Sequence, residues 1–386
     1  MMKKNKLLIF MIALSLLLFS GCWNYKDIDE MRLVAGMALD YDEKGKEYIT
    51  TIEIINPASE KEAQMHGELY QSRGKLPFDG VRDIITKTGR KLYWAHAKTI
   101  IISQDIAKKR IIPILDYIYR DAEFREDMRL IVSKEKTARE ILESYHEKDV
   151  HPIISFHLDD AIESENNIAK YHCAQIWKFI KDLYSEGISP TLPTIRNIVV
   201  EGKIQPYIGG LTVFKGDKAV GWLDEVEAQG FLWTIDHIYG GLVVVESTMN
   251  KKATRITLEI LKNNTKVKPI YIEGKLTMKI DAETDVMIGE IGGTQDFIGK
   301  EGRTILKKDA EKQIKQQIEN VIKKVQKDYD SDIFKFSKSI KKEMPNVWKK
   351  IKPDWDKVFK DLKTEVNVVV NIKGSALKSK PIRVAK

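Results

Sequence analysis

The chain has 386 residues, of which 43% are hydrophobic and 31% charged, with a net charge of +8 and only two cysteines. That length is too great for one ordinary core and suits two or three domains, and the composition is that of a globular protein, not a disordered or fibrous one. Two cysteines exclude a disulfide-built scaffold, so stability must come from packed cores.

Lys3, Lys4 and Lys6 precede an apolar run from Leu7 to Phe19 that is broken only by Ser15, and Phe19-Ser20-Gly21-Cys22 follows. The pattern predicts a lipoprotein signal over residues 1–21. The apolar run is shorter than the roughly twenty residues a membrane-spanning helix needs, which favours cleavage over a retained anchor. Cys22 is then the lipidation site: its thiol accepts a diacylglyceryl group, and two or more acyl chains hold stably where one does not. No later apolar stretch approaches membrane length, so the expected protein is tethered to a membrane and does not cross it. Nucleic-acid binding does not fit an exported chain.

Residues 22–195 read as an α+β domain. Arg32 to Asp40 and Tyr48 to Ile55 form a hairpin around the turn Asp42 to Glu47, and a polar loop runs from Gly67 to Pro77. Helices are expected at Asp79–Lys87, Ile111–Tyr119, Thr137–Tyr145 and Ala169–Ser185, with strands at Ala97–Ser103 and Met128–Ser133. Cys173 falls in the last helix as a small buried hydrophobe. Gly187 to Pro193 is the expected linker.

Residues 196–250 read as a small middle domain, built on a hairpin of Ile204–Phe214 and Lys218–Leu223 around Lys215-Gly216-Asp217, with a buried strand at Gly240–Val245. Residues 251–386 read as a meander, long helices and a closing strand. Arg255–Leu261 and Tyr271–Ile280 alternate with period two around a turn at Asn263-Asn264-Thr265. From Thr304 to Tyr329, apolar residues recur every three or four positions, which predicts one amphipathic helix of about seven turns. Glu365 to Ile372 is the final strand. Charge follows this division, because residues 300–386 carry twenty-two Lys, two Arg and twelve acids, a net of +12, and the rest of the chain nets −4. Such a basic region suits either an anionic lipid surface or the solvated face of a helical domain.

Fragments of catalytic motifs fail on context. Ser133 to Lys136 matches S-x-x-K and Lys87-Thr88-Gly89 matches K-T-G, but their order is reversed and no S-x-N lies between them. Asp40 to Gly45 resembles the start of a calcium loop, yet Lys44 replaces an oxygen ligand and Thr51 stands where a bidentate Glu is needed. His146, His151 and His157 are spaced too irregularly to share a helix face, and His96, between Trp94 and a strand, reads as packed and hydrogen-bonded. No catalytic residue, metal site or cofactor is expected.

The segment Gly210 to Asp224, GLTVFKGDKAVGWLD, resembles the signature of the Ger(x)C family, the C-subunit lipoproteins of spore-germination nutrient receptors. Gly21-Cys22-Trp23, Asp27 to Glu30, Val34 to Asp40, Trp94 to Lys98, Arg120-Asp121 and Gly240-Gly241 resemble further family features in the same order. The resemblance implies an α+β fold of three domains, each a sheet packed with helices. It also implies a non-enzymatic subunit on the outer face of the spore inner membrane, partnered by A-type and B-type integral membrane subunits, with nutrient binding left to those partners. Within the signature, Gly210 and Gly221 suit close backbone approach, Phe214 a buried strand face, and Trp222 a packing or interface contact. The competing reading is a solute-binding lipoprotein of an importer, which requires two lobes of repeated βαβ units.

Overall fold

The computed structural model describes residues 30–58, 65–144, 153–173 and 175–375. Cys22, His146 and His151 lie outside the described residues. β1 (Met31–Asp42) and β2 (Glu47–Asn56) form the expected hairpin. Every residue from Val34 to Asp40 is buried, because β1 sits between β2 and a parallel neighbour and feeds apolar cores on both faces. β3 (His66–Gly74) pairs with β2 where a polar loop was expected. It is an edge strand with only Ser72 and Gly74 buried, so it carries no apolar alternation to read.

α1 (Pro77–Thr88), β4 (Lys91–Tyr93), β5 (Thr99–Ser103), α2 (Gln104–Lys109), α3 (Ile112–Arg120) and β6 (Arg129–Ser133) follow. α4 is only Arg139–Leu142, and α5 (Ile154–Glu163) was not anticipated. The Glu53 carboxylate accepts from the first two N–H groups of α5, Ile154 at 2.8 Å and Ser155 at 2.9 Å. The helix expected over Ala169–Ser185 survives as α6 (Ile176–Leu183). Ala169 takes a positive φ of 54°, which a helix does not tolerate, so Cys173 lies ahead of the helix and not in it.

β7 (Thr191–Val200), β8 (Lys203–Lys215) and β9 (Lys218–Leu223) complete a nine-stranded mixed sheet of order β3-β2-β1-β5-β6-β7-β8-β9, with β4 beside β1. The position between residues 195 and 196 falls inside β7, which pairs parallel with β6 and antiparallel with β8. The sheet therefore runs through the expected domain boundary. Gly187 to Pro193 is likewise held and not free: Trp355 Nε1 donates to the Gly187 carbonyl at 3.0 Å, and Ser189 N donates to the Asp332 carbonyl at 3.0 Å.

α7 (Glu225–Thr234) starts with a capping box in which Asp224 accepts from Val226 N and Glu227 N, and Glu227 accepts from Asp224 N. β10 (Leu242–Met249), β11 (Lys252–Ile272) and β12 (Lys275–Ile291) form the antiparallel meander. The expected turn at Asn263–Thr265 is absent. β11 runs on for 21 residues past a bulge at Ile260/Lys262, and the Asp236 carboxylate takes the Asn263 amide and the Thr265 N–H. α8 (Lys300–Lys324) buries Leu306, Ala310, Ile314, Ile318, Val321 and Ile322, then widens into a π-helical turn over Val325–Tyr329. α9 (Phe336–Glu343), α10 (Pro345–Ile351) and α11 (Trp355–Asp361) lead into β13 (Lys363–Ser375), which pairs parallel with β12. One apolar cluster joins Ala38 and Ile131 of the first sheet, Phe231 and Trp233 of α7, Ile256 and Ile280 of the second sheet, and Ile314 of α8. The result is an α+β protein with one nine-stranded and one four-stranded sheet, not two lobes of repeated βαβ units.

Candidate functional site

The β8–β9 hairpin carries the four residues singled out in the signature, and the structure gives each a different task. Gly210 has φ of +80°, and a Cβ there would lie 2.3 Å from the Leu223 carbonyl oxygen, so the position requires glycine. Phe214 is fully buried with its ring edge-on to Phe179 at 5.2 Å. At the turn, Lys215 reaches Asp330 at 2.7 Å and Asp356 at 3.1 Å, and Arg110 pairs with Asp217 at 2.7 Å. The hairpin tip is thus tied both to α2's end and to the C-terminal helices.

Gly221 is the seat for a ring from another part of the chain. A Cβ at this position would stand 2.0 Å from Tyr329 Cε1, so only a bare backbone lets that ring pack against β9. The Tyr329 hydroxyl donates to the Trp222 carbonyl at 2.8 Å and accepts from the Trp222 N–H at 3.2 Å. Lys324 donates to the same carbonyl at 3.2 Å and pairs with Glu227 of α7. The end of α8 and the turn after it therefore hold both backbone groups of Trp222 with three hydrogen bonds from two side chains. The Trp222 ring is half-buried, with the Lys134 ammonium 5.1 Å from its centre. Burial, reinforced by Arg196 and Lys324, holds Lys134 below the usual lysine range.

A separate cleft of about 300 Å³ is lined by His172, Cys173, Trp177, Thr191, His237 and Lys335, among others. His172 makes contacts of 2.7 Å to Thr191 Oγ1 and 3.2 Å to the Cys173 carbonyl, and burial, with the nearby His237, pushes it down to about 4. It is a neutral imidazole at pH 7. Burial pushes the Cys173 thiol up to about 11 although Arg129 lies 3.1 Å from its sulfur. A protonated thiol beside an imidazole engaged elsewhere does not form a nucleophile and base pair. Sequence reading missed this grouping because His172 and His237 come together only through the fold, at 5.7 Å between ring centres.

The other motif residues have structural partners. Asp40 accepts from Ala138 N and Arg139 N at the start of α4, and Asp42 pairs with Arg73 at 2.7 Å, so the calcium-like segment is a hairpin turn with its carboxylates engaged. Ser133 Oγ is buried and accepts from Glu135 N. His96 is exposed beside Tyr93, contrary to the packed position expected, because the buried residues of its segment are Trp94 and Ala97. Among the described residues no three His, Cys, Asp or Glu side chains converge as metal ligands.

Residues 24–197 match the family described as "Spore germination protein N-terminal domain", and residues 209–376 match "Spore germination B3/ GerAC like, C-terminal". The chain belongs to the Ger(x)C family. This Ger(x)C chain is 22% identical to "Spore germination protein KC" of Bacillus subtilis (strain 168), over 84% of its own length and 85% of that protein. It is 25% identical to "Spore germination protein B3" of the same organism, over 82% and 84% of the two lengths. Its fold is similar to that in "Crystal Structure of the GerBC protein", with a TM-score of 0.57 at 22% identity, covering 88% of this chain and 97% of that one. The two family matches meet between the end of β7 and the middle of β8, so the Gly210–Asp224 hairpin opens the second match while its strands belong to the first sheet. Other Ger(x)C features are packing sites as well: Trp94 packs tilted against Phe124 at 4.3 Å between ring centres, Lys98 pairs with Asp159 at 2.8 Å, and Gly241 is packed against Ile168 and Ala169.

Proposed function

We propose that this chain is the lipid-anchored C subunit of a spore nutrient germinant receptor. It sits on the outer face of the spore inner membrane, with an A-type and a B-type integral membrane subunit, and serves receptor assembly without catalysing a reaction. The observation that carries this reading is the match to both Ger(x)C halves in order along the chain, with relatives named as spore germination proteins. The anchor at Cys22 rests on the basic, apolar and small-residue pattern that precedes it, and among the described residues no helix is long and apolar enough to cross a membrane. Support for a non-catalytic role comes from the signature hairpin, whose polar groups bind its own chain. Nutrient recognition is assigned to the partner subunits. Co-purification of the chain from dormant spore membranes tests the reading: recovery with an A-type and a permease-like B-type protein is expected, and recovery with an importer's ATPase or with no partner overturns it.

A further inference from the structure

A cleft of about 740 Å³ opens between the first two turns of α8 and the last residues of β13. Its walls carry four cations, Lys300, Arg303, Lys307 and Lys373, together with the polar Thr304 and Asn371, and no carboxylate. Two of the cations are engaged at the rim, Lys307 with Glu311 at 3.7 Å and Lys373 with Asp285 at 3.1 Å. Lys300 and Arg303 have no ion-pair partner among the described residues, and the Arg303 Nε is enclosed without a hydrogen-bond acceptor. Arg303 is half-buried, and without a carboxylate partner its guanidinium is left to pair with an anion from outside the protein. Among the described residues β13 is also the last strand of its sheet, so one wall of the cleft is a strand edge.

We infer that this cleft binds a phosphate-bearing anion. Three lysines and an arginine fork around one opening fit the charge and geometry of phosphate oxygens, and although Glu311 and Asp285 at the rim offset Lys307 and Lys373, Lys300 and Arg303 keep the opening net positive. The wider charge asymmetry agrees, since this cleft lies in the segment that carries a net +12. The space is larger than a bare phosphate needs, which leaves room for the group that bears it. That group is either a phospholipid headgroup, reached at a membrane surface, or a soluble phosphate compound. The inference stands on the cleft alone and does not depend on the receptor reading.

Calorimetry on the full chain in a neutral detergent separates the sources, using dihexanoyl phosphatidylglycerol, dihexanoyl phosphatidylcholine and inorganic phosphate as probes. Saturable binding is expected, weakened about tenfold or more by Lys300→Ala with Lys373→Ala, which removes two charge-assisted contacts from exposed positions that do not support the core. Arg303→Gln should weaken it similarly, and unchanged melting temperatures show that each variant is folded. Tighter binding of phosphatidylglycerol than of inorganic phosphate identifies a lipid headgroup; equal binding identifies a soluble phosphate compound, and the site stands in both cases. Three results overturn it: no saturable binding of either anion, phosphatidylcholine binding as tightly as phosphatidylglycerol, or an equal loss in the control Lys323→Ala with Lys342→Ala, whose lysines lie outside the cleft.

Discussion

At the scale of single residues, the structure turns on groups whose surroundings leave no slack. Gly221 and Tyr329 occupy the same space in alternative: a methyl group on one requires the other to move. Gly221→Ala should therefore destabilise by about 1 to 3 kcal/mol, the usual cost of overpacking. In a Tyr329→Ala background the same substitution should cost far less, so a double-mutant cycle on denaturant midpoints should show strong coupling, and additive effects would refute the contact. Asp332 is buried and accepts from Phe336 N at 3.0 Å and Ser337 N at 2.8 Å, yet burial raises its carboxyl to about 6 from the ordinary 3.8. The folded state thus holds the proton more tightly than the unfolded one. The stabilisation is complete below about pH 4 and is lost as pH climbs through about 6, with a ceiling of about 3 kcal/mol. The stability of Asp332→Asn relative to the parent should accordingly rise between pH 4 and about 6.5, and a flat difference across that range would rule the effect out.

Elements differ in how much of their placement the chain announces. α8 was legible because its apolar residues recur with helical spacing, and the structure puts that stripe against the second sheet and α7. What the spacing did not announce is the π-helical turn that delivers Tyr329, the last residue of the stripe, to the hairpin. α7 had a readable signal in Asp224 and Glu227, the two ends of a capping box, but every residue from Ala228 to Thr234 is buried while Val226 is exposed, so the helix shows no helical periodicity. β3 had no such signal, since an edge strand with half-exposed side chains looks like a loop. Within the β8–β9 hairpin, Phe214 and Trp222 should behave differently. Phe214→Ala empties a fully buried site against Phe179 and should cost about 3 to 5 kcal/mol. Trp222→Ala keeps the backbone groups that Tyr329 and Lys324 hold and removes a half-buried ring, so its melting temperature should fall less than that of Phe214→Ala. Equal losses would mean the ring, and not the peptide, is the structural part.

For the whole molecule, attachment and assembly are separable. If Cys22 carries the lipid, Cys22→Ala should abolish incorporation of a fatty-acid analogue and leave uncleaved precursor or mislocalised protein. Undiminished labelling would place the anchor elsewhere. The variant should still fold, because the apolar clusters of the described residues are complete from β1 onward without Cys22. Continuity of the core between the two sheets argues that the first sheet, α7, α8 and the second sheet move as a packed body, with Gly187–Pro193 pinned beneath the C-terminal helices instead of acting as a hinge.

The sequence by itself determined the local periodicities, the turn at Lys215-Gly216-Asp217, the signal-like start and, through the order of its motifs, the Ger(x)C resemblance. These are properties of neighbouring residues, and neighbouring residues fix backbone preference and which face is apolar. Only the tertiary structure decided that β7, β8 and β9 extend the first sheet, that Cys173 and His172 line a cleft with His237, and that Tyr329 sits on Gly221. Each of these joins residues far apart in the chain through strand pairing, excluded volume or a hydrogen bond, and no local pattern encodes such a partner. A glycine in a strand announces that something approaches closely; the folded chain alone shows that here it is the ring at the end of α8.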